Sequence, residues 1–328
     1  MGVKWKTLSL LPMPEEAVRS MLGELAGRLD VIIPDAHDRD AMLKAIPEAE
    51  IVVGDFSGSL ALDAEAVRLA PRLAFVQQPS VGVDGHDIDA LTAAGVPLAN
   101  TAGVNAVAVA EWCLGATLAL LRHLHDGDRE MRSGGWPQFT LQRRELAGSR
   151  VGIVGFGPIG AACARMFGAL GCEVAYWSRT PKAETYGAAY RDLDSLISTS
   201  EVLVLVLPLT RETRGLIGEE RLSRMPAGSI LVNAARGEIV DTAALLAALE
   251  SGHLAGAALD VFDTEPLPAD HPLRSCDKVL LSPHAAAVTP QATTRLIQCV
   301  LDNLTAAVEG RPVRNVVNGV DPVVRRRG

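Results

Sequence analysis

VGIVGFGPIG, residues 151–160, joins an apolar, strand-like run to a glycine-rich turn. Gly155, Gly157 and Gly160 occupy G-x-G-x-x-G positions, and a helical pattern begins near Ile159. In a dinucleotide-binding turn the first glycine permits the tight turn, the second lets the backbone approach the pyrophosphate, and the third lets helix and strand pack closely. The helix N-terminus adds N–H donors for the anion. A plain glycine-rich turn is the alternative. The stretch predicts a dinucleotide site at Gly155, Phe156, Gly157, Pro158, Ile159 and Gly160.

Apolar runs on both sides of this turn indicate the fold. Six strand candidates follow one another between residues 150 and 284, with helical patterns between them: RVGIVGF, EVAYWS, EVLVLVLP, GSILVNAA, AGAALDV and KVLLSPH. This series is typical of a doubly wound parallel sheet. An earlier series comprises KTLSLLP, DVIIP, EIVVGD, AFVQQP and PLAN. Long helices are predicted from Asn105 to about Arg132 and from Pro290 to Glu309. The prediction is an α/β fold with two Rossmann-like domains.

Charge and hydropathy exclude several classes of partner. The net charge of −8 argues against nucleic acid or an anionic membrane, because both attract clustered Lys and Arg. The terminal Arg325-Arg326-Arg327 is interpreted as a solvated tail. The longest apolar stretch, Ala106 to Leu121, contains Glu111 and is too short for a bilayer span, so we expect a buried helix.

Cysteine and histidine usage bears on location and metal binding. The five cysteines are scattered and never spaced C-x-x-C, and the N-terminus has no signal-peptide pattern. Both observations predict a cytoplasmic protein with reduced thiols. His123 and His125 lie two apart on a predicted helix and should face different ways, and His37 and His86 lack neighbouring ligands. No metal site is therefore predicted.

The end of the second strand of the later series bears on the choice of dinucleotide. A carboxylate there would bind the adenosine ribose diol and repel a 2′-phosphate, but Ser178 occupies the position. Arg179 offers a bidentate phosphate contact, and Ser178, Thr180 and Lys182 offer further donors. The loop favours NADP(H), with NAD(H) as the alternative. A solvated Arg179 in a surface loop is the alternative interpretation of this residue.

Three polar residues follow strands of the same series. Arg236 follows ILVNAA, Glu265 follows ALDVFDT and His284 follows KVLLSP, at the edge where open α/β sheets bind ligands. An Arg can hold a carboxylate, a His can donate or accept a proton, and a Glu can orient the imidazole. Each residue alone is more often a solvated side chain. Together the three suit the reduction of a 2-keto acid.

Several stretches resemble a known family. The run from Pro208 to Pro268, which begins PLTRETRG and ends ALDVFDTEPLP, and the later SPHAAA closely resemble the D-isomer-specific 2-hydroxyacid dehydrogenases. NTAGVNAVAVAEWCLG and SVGVDGHDID match the same family. The resemblance covers nearly the whole chain. It implies a flavodoxin-like substrate domain, residues 1–100 with 289–328, and an inserted NAD(P)-binding domain, residues 101–288.

The resemblance also implies roles for single residues. Arg236 would bind the substrate carboxylate and polarise the keto oxygen, while His284 would be the acid/base with Glu265 as its partner. Asp260 would hold the nicotinamide carboxamide. A homodimer is implied, formed largely through the coenzyme domain, and the helix 106–121 would suit its interface. We expect further cofactor contacts at Leu207, Pro208, Thr213, Ala234 and Ala235.

The substrate is predicted from two loops of the first domain. In the family, N–H groups of the loop matching Ser80-Val81-Gly82-Val83 help to bind the carboxylate, and the loop Gly54-Asp55-Phe56-Ser57-Gly58 faces the substrate side chain. No Lys or Arg occurs from residue 45 to 67, Asp55 would repel a phosphate, and Val81 stands where phosphite-oxidising members have Lys. We predict a small 2-keto acid such as glyoxylate or hydroxypyruvate, with bulkier apolar 2-keto acids next. The predicted contacts are Phe56, Ser80, Val81, Gly82, Arg236 and His284.

Two other functions remain as alternatives. Within the family, an NAD-dependent phosphoglycerate, formate or phosphite dehydrogenase is the main one. The more remote one is a nucleotide-sensing scaffold, since transcriptional corepressors share the fold and the three polar residues. The acidic net charge of −8 disfavours the scaffold.

Overall fold

The structure is a computed structural model that describes residues 3–56 and 60–327. It divides into two compact units, Met1–Val104 with Pro290–Gly328, and Asn105–Thr289. The first unit is therefore built from two separate segments of the chain. The predicted division at residues 100 and 289 lies a few residues from these bounds. The roles assigned to the two domains stay predictions.

Strands and helices alternate through both units. Within the described residues, strands β1 to β12 cover Trp5–Ser9, Leu29–Ile32, Ile51–Val53, Phe75–Gln77, Leu98–Ala99, Arg150–Val154, Glu173–Trp177, Ala189–Tyr190, Val202–Leu205, Ser229–Asn233, Leu254–Leu259 and Val279–Leu281. Helices α1 to α11 cover Glu15–Leu22, Arg39–Ala45, Ala64–Arg68, Ile88–Ala93, Ala106–Leu121, Leu124–Arg132, Pro158–Ala169, Leu193–Thr199, Glu219–Arg224, Thr242–Glu250 and Pro290–Val308. Short 3-10 helices cover Gly23–Gly27, Ile46–Glu48, Gly237–Ile239 and Pro272–Ser275.

The sheet of the first unit has the strand order β2-β1-β3-β4-β5, and every pairing is parallel. This is the flavodoxin-like order. Asp38, Asp63 and Asp87 start α2, α3 and α4, each accepting a hydrogen bond at 2.8 Å from the N–H three residues later. Such caps satisfy N–H groups that have no partner within the helix. Helix α11 packs Val300 and Leu304 into the core of this unit.

The sheet of the second unit runs β12-β11-β10-β9-β6-β7-β8, again with every pairing parallel. The strand order reverses between β6 and β9, which places the topological switch point where the glycine-rich turn leaves β6. The predicted α/β fold with two Rossmann-like sheets is confirmed. The sequence does not predict β8, because Ala189 and Tyr190 are two exposed residues without an apolar run.

The helix predicted over residues 105–132 is in fact two helices. A bend of 56° separates α5 from α6, and His123 between them has a φ of 50°, which a continuous right-handed helix excludes. The imidazoles of His123 and His125, expected to face different ways, both approach Asp126, at 2.9 and 3.4 Å. Among the described residues, however, no three His, Cys, Asp or Glu side chains are placed to hold a metal ion.

Helix α5 is largely buried inside its own unit, where it packs against α7, β10 and β11. Ala110 and Cys113 are fully buried. In the part of the chain that the structure describes, no single helix is long and apolar enough to cross a membrane. The bent pair α5 and α6 meets that criterion only when the two helices are taken together.

Two of the three C-terminal arginines, interpreted from the sequence as a solvated tail, pack against the rest of the first unit. The guanidinium carbon of Arg326 lies 4.5 Å from the ring centre of Trp5, and its Nε lies 3.2 Å from a carboxylate oxygen of Glu50. Arg327 donates to the carbonyl oxygen of Ala94. For Arg326 and Arg327 the solvated-tail prediction is wrong, because an aromatic face and a carboxylate hold the first and a backbone acceptor holds the second. Arg325 is exposed and pairs with Asp321, four residues away.

Candidate active site

The glycine-rich turn has three glycines with different structural roles. Gly155 has a φ of 99°, and a Cβ there would lie 2.6 Å from the carbonyl oxygen of Val206. A Cβ on Gly160 would lie 2.2 Å from the carbonyl oxygen of Gly155, whereas one on Gly157 would meet nothing within 4 Å. The fold therefore requires the first and third glycines. The second borders open space.

The start of α7 beside that open space fits an anion. Gly157 is the N-cap, Pro158 is the first helical residue, and no acidic residue lies in the first turn. Free N–H groups at a helix start carry partial positive charge and attract phosphate. The turn thus fits the pyrophosphate of a dinucleotide, which backbone groups would bind without a charged side chain.

The loop after β7 is closed by its own side chains. Ser178 is buried, and its hydroxyl donates to the carbonyl oxygen of Thr180 at 2.7 Å. The phenol oxygen of Tyr176 accepts from the N–H of Lys182 at 2.8 Å. Arg179 and Thr180 are exposed. Ser178 therefore shapes the turn, and the guanidinium of Arg179 is the group of this loop best suited to an anion.

Glu212 acts electrostatically on this arginine. A hydrogen bond with the Thr210 hydroxyl lowers the pKa of Glu212, and the charges of Arg211 and Arg179 lower it further. Glu212 is thus ionised at neutral pH. Its carboxylate would compete with a 2′-phosphate for the guanidinium of Arg179.

The other predicted cofactor contacts follow β9 and β10. Leu207 is buried and Pro208 is exposed. The hydroxyl of Thr213 donates to the carbonyl oxygen of Pro208 at 2.8 Å, which closes the loop after β9. Ala234 is half-buried, and Ala235 is buried with its N–H donating to a neighbouring asparagine side chain at 3.0 Å. These residues lie at the carboxyl edge of the sheet, but their contacts with a cofactor stay predictions.

The predicted acid/base pair is in direct contact. Nδ1 of His284 lies 2.7 Å from Oε2 of Glu265, whose Oε1 accepts from the N–H of Phe262 at 2.9 Å. Burial raises the pKa of Glu265, but the hydrogen bonds from His284 and Phe262 and the charge of Arg236 outweigh it, so the net pKa is lowered. An ionised Glu265 binds a protonated Nδ1. This leaves Nε2 as the nitrogen that can exchange a proton with a ligand.

Asp260 holds the backbone around His284. Its Oδ1 accepts from the Ser282 hydroxyl at 2.7 Å and the Ala285 N–H at 2.8 Å, and its Oδ2 accepts from the Ala286 N–H at 2.9 Å. The carbonyl oxygen of Asp260 also accepts from the N–H of His284 at 2.7 Å. These bonds hold His284 at a φ of 52°, which non-glycine residues rarely adopt. A contact of Asp260 with a nicotinamide carboxamide stays a prediction.

Arg236 belongs to the same charged cluster. It is half-buried, one guanidinium nitrogen donates to the carbonyl oxygen of Ala235 at 2.7 Å, and its positive charge lowers the pKa of Glu265. A Cβ on Gly237 would lie 1.9 Å from the backbone carbon of Phe262, so this glycine lets the two segments approach. The structure thus brings Arg236 towards the Glu265 and His284 pair after β10, β11 and β12.

In the first unit, the four carbonyl oxygens of the Ser80–Val83 loop accept hydrogen bonds from described residues, whereas the N–H groups of residues 81–83 donate none to them. The carbonyl oxygens accept, in chain order, from the Thr101 N–H at 3.1 Å, the Asn100 side chain at 2.7 Å, the Ser80 hydroxyl at 2.9 Å and the His86 N–H at 3.0 Å. No N–H of residues 81–83 donates to another residue that the structure describes. Consecutive N–H groups without partners suit an anion.

The loop after β3 differs from its prediction. Phe56 is exposed, while Ser57 and Gly58 lie outside the described residues. The Asp55 side chain, predicted to repel a phosphate, is fully buried, accepts from a backbone N–H at 3.3 Å and lies 3.5 Å from Nε2 of His37. Asp55 therefore anchors the loop rather than presenting an exposed charge.

Sequence patterns missed two features of the site. They gave no role to Gly237, although a glycine near a strand can mark a place where another backbone approaches closely. The resemblance to the family implied a cofactor role for Asp260, and no pattern indicated its role in the His284 loop. That second role depends on hydrogen bonds across more than 20 residues, which no local pattern shows.

Comparison with known proteins identifies the family. Residues 114–286 match the D-isomer specific 2-hydroxyacid dehydrogenase, NAD binding domain. The chain is 40% identical over 277 residues to a glyoxylate reductase of Aeropyrum pernix, covering 81% of this chain and 83% of that protein. It is 34% identical to a D-3-phosphoglycerate dehydrogenase of Archaeoglobus fulgidus, covering 95% of this chain and 59% of that one. A solved NAD-dependent formate dehydrogenase of Staphylococcus aureus, in complex with NAD, has a TM-score of 0.83 at 29% identity and covers 98% of this chain and 100% of its own. The chain therefore belongs to the family of D-isomer specific 2-hydroxyacid dehydrogenases.

Proposed function

We propose that this dehydrogenase reduces a small, unphosphorylated 2-keto acid, such as glyoxylate or hydroxypyruvate, to the D-2-hydroxy acid. The observation that carries the proposal is the 2.7 Å contact between His284 Nδ1 and Glu265. When bound, the reduced nicotinamide supplies a hydride to the keto carbon. The protein must supply a proton to the keto oxygen and hold the carboxylate, and the site has a group for each task.

His284 is the proposed proton donor and acceptor. In reduction, Nε2 would protonate the keto oxygen as it gains negative charge, and in oxidation it would accept the proton back. Glu265 would stabilise the protonated ring through Nδ1. The Arg236 guanidinium would bind the carboxylate and polarise the keto oxygen, and the amide groups of residues 81–83 would offer further donors for the carboxylate.

Replacing His284 with Asn tests this mechanism. The variant should lose at least about a hundredfold in kcat, the lower end of general acid–base contributions, while NAD(P)H binding changes little. Turnover and cofactor fluorescence titration measure the two effects separately. A variant that kept most of its rate would exclude His284 as the acid/base.

The substrate preference is proposed from charge and from the relatives. No Lys or Arg lies between residues 45 and 67, so the first-unit loop after β3 offers no cation for a phosphate. The Aeropyrum pernix relative is a glyoxylate reductase. Phosphoglycerate, formate and phosphite remain the alternative substrates. A panel of glyoxylate, hydroxypyruvate, pyruvate, phenylpyruvate and 3-phosphohydroxypyruvate, with both cofactors, decides among the keto acids, and activity on 3-phosphohydroxypyruvate alone would contradict the proposal.

NADPH is proposed as the preferred cofactor. The exposed guanidinium of Arg179 supports a 2′-phosphate contact, whereas the nearby Glu212 opposes it. Arg179→Ala should raise the KM for NADPH about tenfold, the loss of one charge-assisted hydrogen bond, and leave that for NADH unchanged. Arg132→Ala, another exposed arginine, is the control. An unmodified enzyme that prefers NADH would contradict the proposal.

A homodimer is proposed on different grounds from those of the sequence. Helix α5, the expected interface, is largely buried within its own unit. The apolar side chains of Leu124, Met131, Trp136 and Phe139 on and after α6 are instead 59, 47, 73 and 90% exposed. Such a patch is typical of a protein interface. Light scattering of the intact protein should give twice the chain mass of 34.6 kDa, and a monomer would contradict the proposal.

A further inference from the structure

A buried histidine next to the Ser80–Val83 loop has no part in the chemistry above. His86 is 8% exposed. Its Nδ1 accepts from the N–H of Leu62 at 3.1 Å, and its Nε2 lies 2.9 Å from Oε1 of Gln78. An imidazole nitrogen that accepts from an N–H carries no proton. His86 is therefore neutral and donates from Nε2 to Gln78.

This donation fixes the orientation of the Gln78 amide. With Oε1 as the acceptor, Nε2 donates to the Ser80 hydroxyl oxygen at 2.9 Å and to the carbonyl oxygen of Asp55 at 2.8 Å. The Ser80 hydroxyl then donates to the carbonyl oxygen of Gly82 at 2.9 Å. Each donor direction is set by the one before it, from His86 to the loop.

The last bond of this chain determines where an amide group points. In a trans peptide the carbonyl oxygen of one residue and the N–H of the next point in opposite directions. Holding the Gly82 carbonyl against the Ser80 hydroxyl therefore fixes the direction of the Val83 N–H. That N–H donates to no other residue that the structure describes.

Gly54 provides the space that this arrangement needs. A Cβ there would lie 2.1 Å from Oε1 of Gln78. Burial also lowers the pKa of His86 to about 4, against a smaller opposing effect of Asp84. The ring thus keeps its neutral form, and with it the donor directions, well below neutral pH.

We propose that His86, Gln78 and Ser80 form a positioning relay, which holds the amide groups of residues 81–83 in place for the carboxylate of the 2-keto acid. The relay rests on the proposed function, because it acts on the substrate only through this loop. Its members act through this loop and not on the keto group, so its effect should fall on substrate binding and not on proton transfer.

Three variants interrupt the relay at different points: His86→Leu, Gln78→Leu and Ser80→Ala. Each should raise the KM for the best 2-keto acid about tenfold and leave kcat within about twofold, the signature of lost uniform binding. The KM for the cofactor should not change. Ser80 is half-buried, so Ser80→Ala tests the relay without a large cavity. His86→Gln keeps one acceptor and one donor and should restore much of the KM.

Asp87→Ala is the matched control, because it removes the α4 cap beside His86, with its 2.8 Å bond to the Ala90 N–H, and leaves the relay intact. Hydrogen exchange followed by mass spectrometry should show faster exchange at the N–H groups of Thr101 and of residue 86, which donate to the loop carbonyls of Ser80 and Val83, in the relay variants than in this control. Equal KM values in relay and control variants of an active enzyme would overturn the relay. An unmodified enzyme that reduced no 2-keto acid would overturn the proposed function instead, and unchanged exchange at the two N–H groups that donate to the loop carbonyls would then overturn the relay as well.

Discussion

His284 binds an ionised carboxylate through Nδ1, whereas Nδ1 of His86 accepts from a backbone N–H. In the first arrangement Nδ1 is the donor, and in the second Nδ1 is the acceptor and carries no proton. The two rings also differ in burial, because His86 is 8% exposed whereas His284 is exposed. A histidine that can exchange protons and a histidine that stays neutral are distinguished by what faces their ring nitrogens and by how deeply the ring is buried.

The buried His86 should make the protein sensitive to acid. Its folded pKa of about 4 lies below the ordinary 6.5, so the unfolded chain takes up a proton first as the pH falls. As the pH falls from about 6.5 to about 4, the free energy of unfolding should decrease by up to about 3 kcal/mol. Above about pH 7, His86 should make no contribution to the pH dependence of stability. Urea unfolding of the unmodified protein and His86→Gln across this range measures the difference. Parallel pH profiles for the two proteins would contradict the prediction.

For single residues, the sequence indicates the reacting groups but not the residues that position them. Arg236, Glu265 and His284 are recognisable because each polar residue follows an apolar strand. The role of His86 is not, because its partners Leu62 and Gln78 are 24 and 8 residues away. The pattern around His86 is that of an ordinary loop.

At the level of elements, the glycines of the turn between β6 and α7 differ in whether they matter for stability or for cofactor binding. Gly157→Ala should leave stability almost unchanged, because the added Cβ meets nothing within 4 Å, yet it should weaken cofactor binding if the pyrophosphate lies there. Gly160→Ala places a Cβ 2.2 Å from a backbone oxygen and should lower stability by about 1–3 kcal/mol through overpacking. Thermal unfolding and cofactor titration of both variants test the contrast. Equal loss of stability in the two would refute it.

Element prediction succeeded where the apolar pattern is continuous and failed where backbone conformation decides. The strands β6, β7 and β9 to β12 lie in the apolar runs that the sequence shows. Helices α5 and α6 share one continuous helical pattern in the sequence. The break between them depends on the positive φ of His123, and no glycine or proline at that position indicates it. Strand β8 exists because β7 offers a free edge, a tertiary cause that two residues cannot show.

For the whole molecule, the return of the chain to the first unit depends on a buried amide. Asn303 on α11 donates to the Gln77 side chain at 2.7 Å and to the carbonyl oxygen of Arg314 at 3.1 Å. Asn303→Ala should lower the free energy of unfolding by about 1–3 kcal/mol, the cost of buried polar groups left without partners. Gln298→Ala, on the exposed side of the same helix, is the control. Urea unfolding midpoints that agree for both variants would contradict this.

The two-sheet architecture could be predicted from the sequence, but the contact between the C-terminal and N-terminal segments could not. Alternating strands and helices predict parallel sheets, and the resemblance to the family implied the insertion. The docking of Arg326 on Trp5, however, joins residues at opposite ends of the chain. A run of three arginines is read locally as solvated, since nothing nearby in sequence offers an aromatic face or a carboxylate.

Asp260 has a consequence for the temperature dependence of the proposed reaction. Its hydrogen bonds order the Ser282–Ala286 segment while the protein folds, so the loss of conformational freedom in that segment occurs before any substrate arrives. Hydride transfer would then take place while this loop is already ordered. The entropy of activation should accordingly be less unfavourable than in Asp260→Asn, in which one of these acceptors is replaced by an amide donor.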